Sequence, residues 1–258
     1  MLKHTVLITG ASSGIGREMA RLFAQQGHNL VLLARSRQPM ETLAQALRTQ
    51  YAVSAHVMEF DLSDPSAASN IMTALEVQNL HIDVLVNNAG FGLLGPHAVL
   101  DAQRQFDMVQ VNISALVQLT RLLLPGMLAR HTGGVLNVAS TAAFQAGPNM
   151  AVYYATKAFV LSYTEALHEE LRGTGLHVSC LCPGPTHTGF VETAGMQGVA
   201  AFKLGAQSAL DVALFGVSAF QANRAIAISG FKNSVLALLG KWAPRSVTRK
   251  VVQLLNRQ

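Results

Sequence analysis

A chain of 258 residues, half of them apolar, is long enough to enclose a sizeable core. Charged residues make up only 13 %, about half of the usual ~25 %, so polar cover is limited; a well-filled core is one reading, and the favoured one is an oligomer that buries apolar surface between subunits. The net charge is +5, but residues 231–258 hold Lys232, Lys241, Arg245, Arg249, Lys250 and Arg257 with no acid, and the preceding 230 residues sum to −1; the basicity marks a tail and argues against a nucleic-acid partner.

In chain order, residues 5–9 read as a strand and 14–26 as a helix, with Met19, Ala20, Leu22 and Phe23 turned inward and Gly27 as its stop. Residues 29–34 form a second, continuously apolar strand. A helix near 39–50, a strand at about 54–60 and a helix from Pro65 behind the cap-like Asp64 follow. Then come a strand at 84–87, a helix at about 102–124, a strand at 135–139, a helix at about 151–172, a strand at 177–181 and a last strand at 225–229. Continuously apolar strands are buried on both faces, the mark of a parallel sheet with helices on each side. Strand–helix alternation with short links implies right-handed crossovers. The expected fold is therefore α/β: a Rossmann-type doubly wound parallel sheet of about seven strands, one domain over residues 1–258.

No run of 18 or more apolar residues is free of polar interruption, so no transmembrane segment is expected. The N-terminus runs straight into a strand pattern without a signal-peptide h-region, which points to a cytoplasmic protein. Cys180 and Cys182 are the only cysteines; standing two apart on a strand, they are expected on opposite faces, unbridged, in a reducing compartment. The histidines show no ligand spacing, and His168-Glu169-Glu170 is followed by Arg172 where a zinc motif needs histidine, so no metal is expected.

The first strand is followed at once by Thr9-Gly10-Ala11-Ser12-Ser13-Gly14-Ile15-Gly16 and then a helix. A dinucleotide's pyrophosphate must approach backbone N–H groups at a helix N-terminus, where side chains would block it. Gly10 permits the turn, Gly14 the close approach, and Gly16 the packing of helix on sheet. Further along, Tyr153 and Lys157 are four apart and share one helix face. A nearby ammonium favours the phenolate, so the Tyr153 pKa is expected to fall and the phenol to serve as acid or base. Spacing alone leaves Tyr154, three residues from Lys157, as an alternative.

Thr-Gly-x3-Gly-x-Gly resembles the short-chain dehydrogenase/reductase family, and the likeness recurs at Asp61-Leu62, Asn87-Asn88-Ala89-Gly90, Asn112, Ser140, Tyr153 with Lys157, and Pro183-Gly184. It covers roughly residues 3–230. The resemblance implies an oxidoreductase moving a hydride between a nicotinamide and a carbonyl or secondary alcohol. It selects Tyr153 over Tyr154, gives Ser140 the substrate oxygen, Lys157 the nicotinamide ribose, and Asn112 a water that links Lys157 to solvent. Gly10, Ser12, Ser13, Gly14, Ile15 and Gly16 would cradle the pyrophosphate. Asp61 and Leu62 would hold the adenine, Asn88, Ala89 and Gly90 its ribose, and Pro183, Gly184, Thr186 and Thr188 the nicotinamide side.

At the end of the second strand stands Ala34, where NAD-using relatives carry Asp, followed by Arg35, Ser36 and Arg37. A guanidinium binds a 2′-phosphate bidentately and no carboxylate opposes it, so NADP(H) is the expected cofactor with Arg35 its first contact. Residues from about 185 to 207 resemble the family's substrate lid, and Phe190, Met196 and Phe202 suggest an apolar pocket. The tail has Val247, Val251, Leu254 and Leu255 at helical spacing behind Pro244. Three readings of it stand: a helix packed on its own core, a surface for acidic groups such as acyl-thioester phosphates, or peripheral membrane contact. The other functional class is a cofactor-binding scaffold without chemistry, against which the intact Ser140, Tyr153 and Lys157 weigh.

Overall fold

The computed structural model describes residues 3–189, 194 and 205–255. The elements are β1 (Thr5–Thr9), α1 (Gly14–Gln25), β2 (Asn29–Ala34), α2 (Arg37–Tyr51), β3 (Ala55–Glu59), α3 (Ala67–Val77), β4 (Val84–Asn87), α4 (Ala102–Val109), a π-helical turn (Gln110–Ser114) and α5 (Ala115–Arg130). They continue with β5 (Gly134–Val138), α6 (Ala151–Glu170), β6 (His177–Cys182), β7 (Thr186–His187), β8 (Gln207–Ser208), α7 (Ala209–Gln221), β9 (Ile226–Ile228), α8 (Phe231–Trp242) and α9 (Arg245–Leu255).

Seven strands form one sheet in the order β3-β2-β1-β4-β5-β6-β9, every neighbouring pair parallel. This is the doubly wound fold read from the alternation of elements. The chain leaves β1 towards β2 and returns on its other side as β4, which opens a crevice at the strand ends where such sheets bind ligands. Side chains alternate between two apolar layers, as a period of two dictates. Val6, Ile8, Leu30 and Leu32 pack with α1, α2 and α7, while Leu7, Val31, Leu33 and Leu85 pack with α3, α5 and α6. Each such side chain, fully buried, contributes about 1.5–3 kcal/mol.

The differences from expectation have local causes. Helix α2 starts at Arg37, because Pro39 falls within the first turn, where a missing N–H costs nothing. Asp64 does not cap a helix at Pro65; its carboxylate accepts from Ser66 N and Oγ at 2.8 and 2.7 Å, and α3 begins at Ala67. Helix α5 runs through Pro125 to Arg130, because Met127 beyond it is fully buried in the core. The helical stretch Ala102–Arg130 is long and apolar enough to cross a membrane by length and composition. Here Ala115, Leu119, Leu123 and Met127 insert into the core against β4 and β5, so it acts as a core helix.

Cys180 and Cys182 correct an expectation. Side-chain direction repeats every second residue along a strand, so the two share a face. Their Sγ atoms lie 3.8 Å apart, both thiols free and buried. The short pair β7–β8 has no counterpart in the sequence reading. Most of the expected lid, with Phe190, Met196 and Phe202, lies outside the described residues.

Candidate active site

The turn after β1 is built from two left-handed glycines, Gly10 at φ 65° and Gly14 at φ 54°, a conformation side chains resist. A Cβ on Gly16 would come within 2.5 Å of both the Gly10 carbonyl oxygen and Asn88 Nδ2. Gly16 thus serves packing and lies off the cavity wall, while Gly10, Ser12, Ser13, Gly14 and Ile15 line it. The turn is pinned to the end of β4. Asn88 Nδ2 donates to the carbonyls of Thr9 and Gly10 at 2.9 and 3.2 Å, and Thr9 Oγ1 accepts from the backbone N–H groups of Asn88 and Ala89 at 3.0 and 2.9 Å. Thr9 opens the Thr-Gly-x3-Gly-x-Gly pattern, but no site role is assigned to it from sequence. The result is a helix N-terminus with its N–H groups facing a groove that side chains would fill, which fits a dinucleotide pyrophosphate.

One cavity of about 1150 Å³ extends from this turn along the strand ends. At one end Arg35 and Asp61 face each other, Nη1 to Oδ2 at 4.0 Å, both well exposed. Asp61 Oδ1 also accepts from Ser63 N and Oγ, and Leu62 beside it is buried on the cavity wall. Arg37 is turned away and pairs with Glu41 at 3.2 Å along α2. Asn88, Ala89 and Gly90 line the middle, and Pro183, Gly184, Thr186 and Thr188 the opposite side.

Helix α6 brings Tyr153 and Lys157 to the inner part of the cavity, both buried. Lys157 Nζ donates to the Val138 carbonyl at 2.9 Å and lies 5.9 Å from the Tyr153 ring centroid. Burial pulls the ammonium down to about 8, against the opposing influence of the neighbouring Cys180 and Cys182 sulfurs. Burial likewise pushes the Tyr153 phenol up, outweighing a hydrogen bond with Ser140 that lowers it. The expected fall in the phenol pKa is therefore overturned in the chain alone: desolvation dominates, and the ammonium is directed at a backbone carbonyl.

Ser140 lies two residues beyond the end of β5, where its Oγ donates to the Pro183 carbonyl at 3.4 Å. Its Oγ accepts from Ala142 N at 3.1 Å, capping the 3-10 turn Thr141–Phe144, and it faces Tyr153. Asn112 sits in the π-helical turn, a feature frequent at functional sites. It lies off the cavity wall. Its Nδ2 donates to the Phe91 carbonyl and to Thr156 Oγ1, both at 3.0 Å, and its Oδ1 accepts from Phe91 N at 3.1 Å. The side chain ties the loop after β4 to α6.

The cavity wall also holds residues that sequence reasoning did not place at the site: Phe91, Arg104, Gln145, Met150 and, from the tail, Lys232, Leu236 and Val252. Tyr154 also lines it, its ring edge-on to Tyr153 at 6.1 Å between centroids. Asn233 of α8 packs against the loop after β6, since a Cβ on Gly184 would lie 2.2 Å from its Nδ2. Its Nδ2 donates to the Ser229 carbonyl at 2.7 Å. The basic tail is thus part of the cavity wall, a role its charge pattern did not signal.

A phosphate cradle at the sheet's switch point, opening into the same cavity as a phenol, a hydroxyl and an ammonium, defines a nicotinamide-dinucleotide oxidoreductase. Comparison with known proteins refines this. Residues 4–197 match the short chain dehydrogenase family. The NADP-dependent 3-hydroxy acid dehydrogenase of Salmonella typhi is 36 % identical over 182 residues, 69 % of this chain and 71 % of that protein. A short-chain dehydrogenase from Sphingobium yanoikuyae in complex with NADPH superposes with a TM-score of 0.83 at 30 % identity, covering 93 % of each chain. A family member from Burkholderia phymatum in complex with NAD gives a TM-score of 0.83 at 26 % identity, covering 92 % of each chain. The chain belongs to the short-chain dehydrogenase/reductase family. It is an oxidoreductase of alcohol and carbonyl groups that uses a nicotinamide cofactor.

Proposed function

We propose that the protein is an NADP(H)-dependent reductase of a small, largely apolar carbonyl compound, interconverting it with its secondary alcohol. The observation that carries this reading is the hydrogen-bonded Tyr153–Ser140 pair beside Lys157, inside the cavity that begins at the glycine turn. Preference for NADP(H) rests on Ala34 and Arg35 at the cavity's other end. A carboxylate at position 34 would repel a 2′-phosphate, and Ala34 has none. The Arg35–Asp61 pair is long and exposed, hence weak and easily exchanged for a phosphate. Leu62 and Asp61 would take the adenine, Asn88, Ala89 and Gly90 its ribose, and Pro183, Gly184, Thr186 and Thr188 the carboxamide side.

When bound, the nicotinamide supplies or takes up the hydride; the chain handles the proton. In the reducing direction Tyr153 donates its phenolic proton to the carbonyl oxygen. Its raised pKa keeps that proton in place at neutral pH, which suits an acid. Ser140 hydrogen-bonds the same oxygen and orients it. Lys157 stands by with an ammonium that, near neutrality, compensates the phenolate left behind. Asn112 holds α6 to the loop after β4 and so fixes where Tyr153 and Lys157 stand.

The working unit is a cytoplasmic homodimer or homotetramer. Helices α4–α5 and α6 would form its interface, since Phe106, Val109, Leu122 and Phe159 are left exposed there. The test is consumption of NADPH and NADH with ketones, β-ketoesters, acyl thioesters and steroids, in wild type and Tyr153→Phe. Expected are turnover with NADPH above NADH and a loss of about 10²–10⁴-fold in the variant, with the fold retained. Equal use of NADH sinks the cofactor reading. No turnover across the panel leaves the scaffold reading in its place, and an active Tyr153→Phe removes Tyr153 as the proton donor.

A further inference from the structure

We propose that helices α8 and α9 form a docking surface for anionic phospholipid bilayers, which sets the substrate end of the cavity at the membrane. Val247, Val251 and Leu254 recur at i, i+4 and i+7 and share one face of α9. In a helix packed on its own protein that stripe is buried. Here the three side chains are 52, 50 and 60 % exposed, and among the described side chains of α9 Val252 is the buried one, at 2 %. Helix α8 adds Trp242, 81 % exposed, and Phe231 and Leu236, exposed by 85 and 65 % where they also line the cavity. The same segment is uniformly basic: six cations and no carboxylate lie between Phe231 and Gln258.

This combination decides the occupant. A second copy meeting the same face about a two-fold axis would bring cations against cations with no acid to answer them. Free phosphate groups answer the cations but leave Trp242 and the valine–leucine stripe in water. An anionic bilayer answers both. Apolar side chains sink about 5–10 Å into the headgroup–acyl boundary, and each Lys or Arg near the surface gains about 1 kcal/mol; tryptophan favours that boundary. The surface is continuous with the site, since Lys232, Leu236, Ala237 and Val252 line the cavity. An apolar substrate dissolved in lipid would reach it without crossing water. The docking itself does not depend on the catalytic reading.

The experiment is flotation of the full-length protein with vesicles of phosphatidylcholine alone and of phosphatidylcholine with phosphatidylglycerol, at low and high salt. The wild type is expected to float with the anionic vesicles, less so as salt rises. The triple variant Arg245→Glu, Arg249→Glu, Lys250→Glu should lose on the order of a hundredfold in binding, and Val247→Ser, Val251→Ser, Leu254→Ser should lose binding at both salts. Thermal melts confirm that the variants are folded; if one is not, the salt and lipid dependence of the wild type still decides. A wild type that stays below the anionic vesicles at low salt overturns the proposal. So does a folded pair of variants that float like the wild type. If the serine variant instead lowers the oligomeric mass while the wild type ignores vesicles, the surface joins copies of the chain and the proposal falls.

Discussion

Replacing Lys157 by methionine separates the two demands placed on that residue. The ammonium is 5 % exposed, and burial lowers its pKa from 10.5 to about 8. Below about pH 8 the lysine is charged in both folded and unfolded chains, so the fold bears the whole penalty of burying a cation. Between about 8 and 10.5 the unfolded chain binds more protons than the folded one, and stability rises with pH. The full shift corresponds to about 3 kcal/mol, of which about 2 kcal/mol is recovered between about pH 7 and about pH 9.5. Lys157→Met keeps the length of the side chain and removes the titration. It also leaves the Val138 carbonyl without its donor, a loss of about 1–3 kcal/mol that does not vary with pH. The diagnostic is therefore the slope and not the offset. Urea unfolding of the cofactor-free proteins across that pH range should show the wild type gaining about 2 kcal/mol relative to the variant. Parallel profiles would refute the claim that Lys157 is a buried, strained cation. Turnover of the variant should be lost at every pH.

Three further outcomes follow from the geometry. Ala34→Asp combined with Arg35→Ala should raise the KM for NADPH by tenfold or more, about 1.4 kcal/mol per factor of ten, and improve NADH; unchanged selectivity in initial-rate assays would remove Arg35 from the cofactor site. Gly16→Val forces a side chain to within 2.5 Å of the Gly10 carbonyl, and should cost about 1–3 kcal/mol of stability and abolish the rise in Tm that NADPH gives the wild type. Leu122→Glu with Phe159→Glu places charges on the exposed apolar faces of α5 and α6; light scattering should show a smaller particle, and an unchanged mass would move the subunit interface elsewhere.

Much of this molecule is legible along the chain because the relevant signals are local. Strands such as Asn29–Ala34 are apolar without a break, and only a sheet covered on both faces accommodates that. The turn at Gly10–Gly16 announces itself by residues that tolerate positive φ and close contact. Tyr153 and Lys157 share a helix face by their spacing, their grouping with Ser140 is what the family resemblance implies, and the sheet brings all three into the same cavity as the turn.

What the chain by itself could not decide depends on neighbours distant in sequence. Arg35 lines the cavity opposite Asp61, whereas Arg37 pairs with Glu41 along α2, a difference no spacing rule supplies. The amide of Asn112 is occupied by Phe91 and Thr156, partners no spacing rule supplies. The direction of the Tyr153 pKa reversed, because desolvation sums over everything packed around the ring, whereas the lysine four residues away is one neighbour among many. The tail reads as a basic amphipathic appendage; only its packing shows that one side walls the cavity and that the apolar stripe of α9 faces outward. Periodicity and turn chemistry are properties of a few adjacent residues, whereas burial and pairing are properties of the folded whole.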